Sequence, residues 1–108
     1  MDLIIEPRTL AKSLVDGCNI RLLDVRQPEE VAIARLPSSR HIPLHLLGDR
    51  WEELEDWRED NIVVYCHHGI RSWHATQWLH KMGFHKARNL IGGINAWSVE
   101  VDPATPRY

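Results

Sequence analysis

The residues best able to do chemistry lie together in Val63-Val64-Tyr65-Cys66-His67-His68-Gly69-Ile70-Arg71-Ser72. An apolar run ends on a cysteine, a polar turn holding one glycine follows, and an amphipathic segment begins at Ser72. That order puts a thiol between a strand and a helix, facing backbone N–H groups and the positive end of the helix dipole. Both effects stabilise thiolate without needing a charged side chain. Gly69 gives the freedom that a tight arc needs. The N–H groups from His67 to Ser72 can then turn inward as an anion-binding nest. Arg71 adds a positive charge and a planar set of donors at the end of the loop. Cys66 is therefore the candidate nucleophile, and the same cradle suits the negative charge of a further sulfur attached to it. The competing reading, an inert cysteine packed at a strand end, leaves the adjacent glycine and arginine unexplained.

Other polar residues qualify as support. Asp24 and Arg26 follow a second apolar run, and two roles are open to them: bracing the loop edge by ion pairing, or orienting Arg71 and the loop backbone. Neither role makes Asp24 a general base, because a thiolate needs none. His67 and His68 are expected to project outward at the entrance. There they either bind an anionic donor when protonated or stand solvated. A metal site is not expected, since adjacent side chains point apart and no spaced Cys/His quartet exists. His74, His80 and His85 fall on or near the surface of a late helix. Cys18 belongs at the opposite edge from Cys66 and is read as incidental.

The elements that must position these groups alternate along the chain. Leu3-Ile4-Ile5 reads as an edge strand. Pro7 opens a helix with Leu10, Ala11, Leu14 and Val15 on one face, ended by Gly17. Ile20 to Leu23 is a strand ending at Asp24, and Pro28-Glu29-Glu30 starts a short helix with carboxylates where its dipole favours them. A loop over 35–40 leads to a very short strand near His41-Ile42-Pro43-Leu44. Leu47, Trp51 and Leu54 share a face of a third helix. Ile62-Val63-Val64-Tyr65 is a central strand buried on both faces. Ala75, Trp78, Leu79 and Met82 mark a long helix that Gly83 terminates. Arg88 to Ile91 is the last strand, Gly92-Gly93 a turn, and Ile94 to Trp97 a last short helix. The tail with Pro103 and Pro106 is expected to be extended. Trp51, Trp78 and Trp97 fit core faces, and Trp73 suits the pocket mouth. The alternation predicts an α/β domain, a small and mainly parallel central sheet of about five strands with helices on both faces. Asp24 and Cys66, each ending a strand, should then open onto one sheet edge.

Composition limits the remaining classes. The chain has 108 residues, 44% hydrophobic and 26% charged, which suits one domain over 1–108. A formal charge of −2 gives no general attraction to nucleic acid or anionic lipid. No apolar run is long enough to span a bilayer. The first seven residues lack the basic and apolar pattern of a secretory leader, and two cysteines make no disulfide framework. A reducing, cytoplasmic setting is the expectation.

Taken in order, the segments resemble the single-domain rhodanese-like sulfurtransferases over nearly the whole chain. Leu22-Leu23-Asp24-Val25-Arg26-Gln27-Pro28-Glu29-Glu30 is similar to the first family signature, 63–72 to the active-site loop, and Gly83-Phe84 with 90–97 to the closing signature. The resemblance implies that Cys66 accepts sulfane sulfur from thiosulfate, a polysulfide or a protein persulfide. Cys66 would hold it as a persulfide and pass it to cyanide, a thiol or a protein, with no cofactor. His67, His68, Gly69, Ile70, Arg71 and Ser72 would form the substrate loop. Related phosphatases carry a loop one residue longer, so the four residues between Cys66 and Arg71 favour sulfur over phosphate or arsenate. A binding or sulfide- and redox-sensing module on the same fold is the main alternative. Where relatives place a histidine and a proline-glycine turn, this chain has Arg35-Leu36-Pro37-Ser38-Ser39, and Ser38 is strained if that turn needs positive φ. The segment from Trp97 to Tyr108 resembles the end of rhodanese domains fused to adenylyltransferases that load sulfur-carrier proteins. With its own Met1 and no partner domain, the chain would serve such a system in trans.

Overall fold

The computed structural model describes residues 2–108. Five parallel strands form one sheet in the order β1-β5-β4-β2-β3, where β1 is Ile4–Ile5, β2 Ile20–Asp24, β3 Arg40–His41, β4 Asn61–Tyr65 and β5 Ala87–Leu90. The helices are α1 (Pro7–Val15), α2 (Pro28–Ile33), α3 (Leu44–Arg50), α4 (Ile70–Lys81) and α5 (Gly93–Glu100). This is the expected α/β sheet, and the β-branched run 62–65 is buried in its middle.

Period-two alternation along β2 and β4 sorts the core into two layers. Leu23, Ile62, Val64 and Cys66 pack with Leu47, Leu54, Trp57, Ala75 and Leu79 on one face. Leu22, Val63 and Tyr65 pack with Leu10, Ile94 and Trp97 on the other. Both faces are covered, which is why β4 reads as a continuous apolar run over 62–65 rather than as an alternating one. No helix among the described residues is long and apolar enough to cross a membrane.

Three expectations need correction. The third helix is not continuous: α3 stops at Arg50 and residues Trp51–Trp57 form a 3-10 helix. The tighter winding still turns Leu54 and Trp57 into the core, and Trp57 is a core tryptophan that the helical spacing did not single out. The last helix runs to Glu100, three residues past Trp97. The tail is not extended. It folds back through a turn in which Thr105 N–H donates to the Asp102 carbonyl at 3.0 Å and the Ser98 hydroxyl to the Thr105 carbonyl at 2.7 Å. Ser38, by contrast, does hold the strained turn, with φ of 61°, and is the one non-glycine at positive φ among the described residues.

Register sets the site. Asp24 pairs with Tyr65 across β2 and β4, so Arg26 and Cys66 leave neighbouring strands at the same carboxyl edge. Cys18 precedes β2 at the other end and is exposed.

Candidate active site

The loop from Cys66 to Arg71 is held from below before it holds anything itself. Ile94 N–H donates to the Cys66 carbonyl at 2.9 Å and Asn95 N–H to the His67 carbonyl at 3.1 Å. These N–H groups belong to the first turn of α5 and have no partner within the helix, so the start of that helix anchors the loop. A Cβ at Gly93 would overlap the Cys66 and His67 carbonyls, which explains why the first position of α5 carries glycine. Gly69, at φ 105°, ends the arc and precedes α4.

Within this arc Cys66 Sγ is almost fully buried. Gly69 N–H points at it from 3.1 Å and Ser72 N–H from 3.4 Å, and the Ser72 hydroxyl oxygen lies 3.3 Å away. The sulfur therefore sits at the N-terminus of α4, where unpaired N–H groups and the dipole favour negative charge. Ser72 is tied onward, since its hydroxyl donates to Asn89 Oδ1 at 2.5 Å and Asn89 Nδ2 donates to the Gly69 carbonyl at 3.1 Å.

The charges around the loop are arranged differently from the sequence reading. Arg71 is not a free cation beside the sulfur. Its guanidinium makes a two-pronged pair with Glu30, at 2.6 and 2.8 Å. Glu30 also accepts from Gln27 N–H at 3.2 Å and from the Tyr108 hydroxyl at 2.7 Å. The Arg71 guanidinium chiefly holds the Glu30 carboxyl down at about 2, against the desolvation that opposes it. Arg71 is correspondingly held above its ordinary value, first by its bonds to Glu30. The pair thus stabilises the fold fully above the ordinary carboxyl value of 4.5 and loses that contribution as pH falls towards 2. Glu30→Gln is accordingly expected to cost about 1 kcal/mol at neutral pH, as a partly exposed pair does. Near pH 2 the cost should vanish. Urea unfolding at the two pH values checks this.

Asp24 and Arg26 form a fully buried pair, with Arg26 Nη2 to Asp24 Oδ2 at 2.6 Å and Nε to Oδ1 at 2.9 Å. Burial alone would weaken the Arg26 charge, but the bonds to Asp24 and Tyr108 outweigh it and hold the guanidinium above its usual value. Arg26 also donates to the Ala34 carbonyl at 2.7 Å, and its own carbonyl receives His41 Nε2 at 2.6 Å. The bracing role fits this geometry. Asp24 does not orient Arg71 directly, because the partner of Arg71 is Glu30.

His67 and His68 divide. His68 is exposed, as expected. His67 is instead covered: its ring stacks on Tyr108 with centroids 3.9 Å apart and planes 9° from parallel, and its Nε2 is buried with no hydrogen-bond partner among the described residues. Burial, followed by the charge of His68, pushes His67 below its ordinary value, away from the protonated form that an anion would need. Trp73 is half-buried and His74 exposed, and His80 donates Nε2–H to the Ala87 carbonyl at 2.7 Å.

A buried thiol at a strand end, ringed by the donors of a six-residue loop, is the frame in which the comparisons with known proteins stand. A family model described as "Rhodanese-like domain" matches residues 7–100. The chain belongs to the rhodanese-like family. It is 34% identical over 94 residues to a protein named "Sulfurtransferase" from Allochromatium vinosum, covering 87% of this chain and 86% of that one. It is 37% identical over 106 residues to "Adenylyltransferase and sulfurtransferase MOCS3-2" of Zea mays, covering 94% of this chain but only 22% of the maize protein. The structure of "Human Single Domain Sulfurtranferase TSTD1" superposes with a TM-score of 0.80 at 28% identity, covering 93% of this chain and 98% of that one.

Three site residues of this rhodanese-like chain escaped the sequence reading in the parts they play. Glu30 was placed by its helix-start position, yet its carboxylate serves Arg71. The Gln27-to-Glu30 spacing of a capping box was the available signal, and it gives no hint of Arg71. Asn89 lies in a strand beside the closing signature, where a buried amide could have been flagged. Tyr108 had no local signal at all, since 82 positions separate it from Arg26.

Proposed function

We propose that this rhodanese-like chain is a sulfurtransferase that carries sulfane sulfur on Cys66. The observation that carries the reading is the Cys66 sulfur, buried at the N-terminus of α4 with Gly69 and Ser72 N–H groups aimed at it. In the first half-reaction the Cys66 thiolate attacks the outer sulfur of thiosulfate, a polysulfide or a protein persulfide. A new S–S bond forms, and the donor's own bond to that sulfur breaks with its electron pair leaving on the donor (as sulfite, from thiosulfate). In the second, an acceptor nucleophile such as cyanide, a thiol or a protein group attacks the outer sulfur, and Cys66 departs as thiolate. The electrons balance in both halves, so the scheme calls for no redox cofactor.

Each loop element has a part. The N–H groups of Gly69 and Ser72 and the α4 dipole stabilise the sulfur whenever it bears charge. Arg71, fixed by Glu30, fixes in turn the start of α4. His68 and Ile70 stand exposed at the mouth, where a donor or acceptor meets the loop. Asp24 and Arg26 brace the neighbouring strand end. A protein acceptor of the sulfur-carrier kind is part of the reading, supported by 38% identity over 80 residues, 74% of this chain, to a Bacillus subtilis protein named "Putative sulfur carrier protein YrkF". Serving such a carrier in trans, in a reducing compartment, is part of this proposal.

Steady-state kinetics test the scheme. With thiosulfate and an acceptor varied together, parallel double-reciprocal lines are expected, as a covalent intermediate requires. Intersecting lines would show direct transfer between bound substrates instead. Turnover of an aryl phosphate with none of a sulfane donor would assign the loop to phosphate chemistry.

A further inference from the structure

Asn89 is buried on β5 and reaches under the loop to two of its residues at once. Its amide orientation follows from its partners. The Gly69 carbonyl can only accept, so the atom 3.1 Å from it is Nδ2, and the atom 2.5 Å from Ser72 Oγ is the acceptor Oδ1. The Ser72 hydroxyl has one hydrogen. Two acceptors compete for it: Asn89 Oδ1 at 2.5 Å and Cys66 Sγ at 3.3 Å. The shorter contact, to the harder oxygen, takes it.

We propose that Asn89 is a positioning residue of the sulfur-transfer site: with its amide oriented by the Gly69 carbonyl, it presents Oδ1 to the Ser72 hydroxyl and withholds that hydrogen from the Cys66 sulfur. In the resting thiol, S–H points to the Ser72 oxygen and the Ser72 O–H to Asn89. When Cys66 bears charge, the backbone N–H groups of Gly69 and Ser72 carry the stabilisation. The Ser72 hydroxyl can turn to the sulfur only by leaving Asn89 Oδ1 unpaired in a buried place, which is costly. The turn is a rotation about Cβ–Oγ and breaks no covalent bond. The site therefore trades thiolate stability, and with it some leaving-group ability in the second half-reaction, for a stronger nucleophile in the first, since a less stabilised thiolate attacks faster and leaves more slowly. The catalytic consequence rests on the sulfurtransferase reading; the hydrogen-bond competition does not.

The charged and titratable groups around the loop are Glu30 on α2, Arg71 on α4, His67 and His68 in the loop, Tyr108 on the tail and the Asp24–Arg26 pair beyond β2. None of them bonds to Asn89.

The test is the pH dependence of alkylation of Cys66 by iodoacetamide, in the Cys18→Ser background so that one thiol reports, and with no sulfur donor present. Asn89→Ala and the closer-filling Asn89→Leu release the Ser72 hydroxyl to the sulfur. Each is expected to move the alkylation midpoint down by roughly half to one pH unit, a three- to tenfold gain in thiolate at fixed pH. Ser72→Ala is expected to move it little, and Asn89→Ala added to Ser72→Ala should have no further effect. An Asn89 variant that leaves the midpoint in place or raises it overturns the proposal. So does an Asn89 effect that survives in Ser72→Ala, or a Ser72→Ala rise of a full unit, which would make the hydroxyl an ordinary thiolate donor. The Ser72→Ala arm decides the matter if neither Asn89 variant folds. Because no sulfur is transferred in this assay, its failure leaves the sulfurtransferase reading standing, and the reverse also holds.

Discussion

Cys66→Ser is expected to reduce sulfur transfer to the uncatalysed background, a loss of at least about 10³-fold. Serine oxygen fits the same place, and Gly69 and Ser72 N–H groups can still donate to it. The fold should therefore remain, with a stability change within about 1 kcal/mol. What disappears is the atom that can form and break an S–S bond at neutral pH. A hydroxyl is not ionised there, and among the described residues no imidazole bonds to the Cys66 sulfur to activate a serine in its place. Comparing transfer rates with unfolding midpoints separates the two effects. Retention of more than a tenth of the activity would mean that the reacting atom lies elsewhere.

The second large effect falls on stability. Arg26→Met is expected to destabilise the domain by about 3–5 kcal/mol, because it strands the Asp24 carboxylate in the interior. Both side chains are fully buried and each satisfies the other with short bonds. Arg26 also holds the Ala34 carbonyl and the Tyr108 hydroxyl, so those groups lose partners as well. For a domain whose whole stability is on the order of 5–15 kcal/mol, the loss is severe. Replacing both members, as in Asp24→Leu with Arg26→Met, should cost less than Arg26→Met alone. The reason is that an apolar pair leaves no buried charge. Urea unfolding of the single and double variants reads this directly, and a single-variant cost below about 1 kcal/mol would contradict the buried-pair account.

How far the sequence reached depended on the distance over which each signal acts. The central strand came through because Ile62–Tyr65 is a short apolar run bounded by polar residues, and its burial on both faces matches that pattern; in Ile20–Leu23 the Leu22-Leu23 pair carried the signal past Arg21. Cys66 with Gly69 was legible because the chemistry of a strand–loop–helix junction is local. The break at Arg50 was not, since Leu47, Trp51 and Leu54 keep apolar spacing through a change from α to 3-10 winding. Nor was the electrostatic partner of Arg71. Position alone assigned Glu30 to the helix dipole, whereas the fold brings β4 beside β2 and gives Glu30 a cation 41 residues away. The tail shows the same limit. Two prolines argue for extension, but the Ser98 and Asp102 bonds turn the chain so that Tyr108 stacks on His67. Side chains that act locally could be read; those that meet only through strand order could not.

One measurement bears most directly on the central claim that Cys66 is a sulfur carrier. The protein is incubated with thiosulfate or a polysulfide, freed of excess donor, and its intact mass and peptide masses are determined. The account requires a gain of one sulfur atom on the peptide containing Cys66. That gain should be lost on adding cyanide or a thiol, and absent from Cys66→Ser. No added sulfur with any sulfane donor, or sulfur found on Cys18 instead, would contradict it.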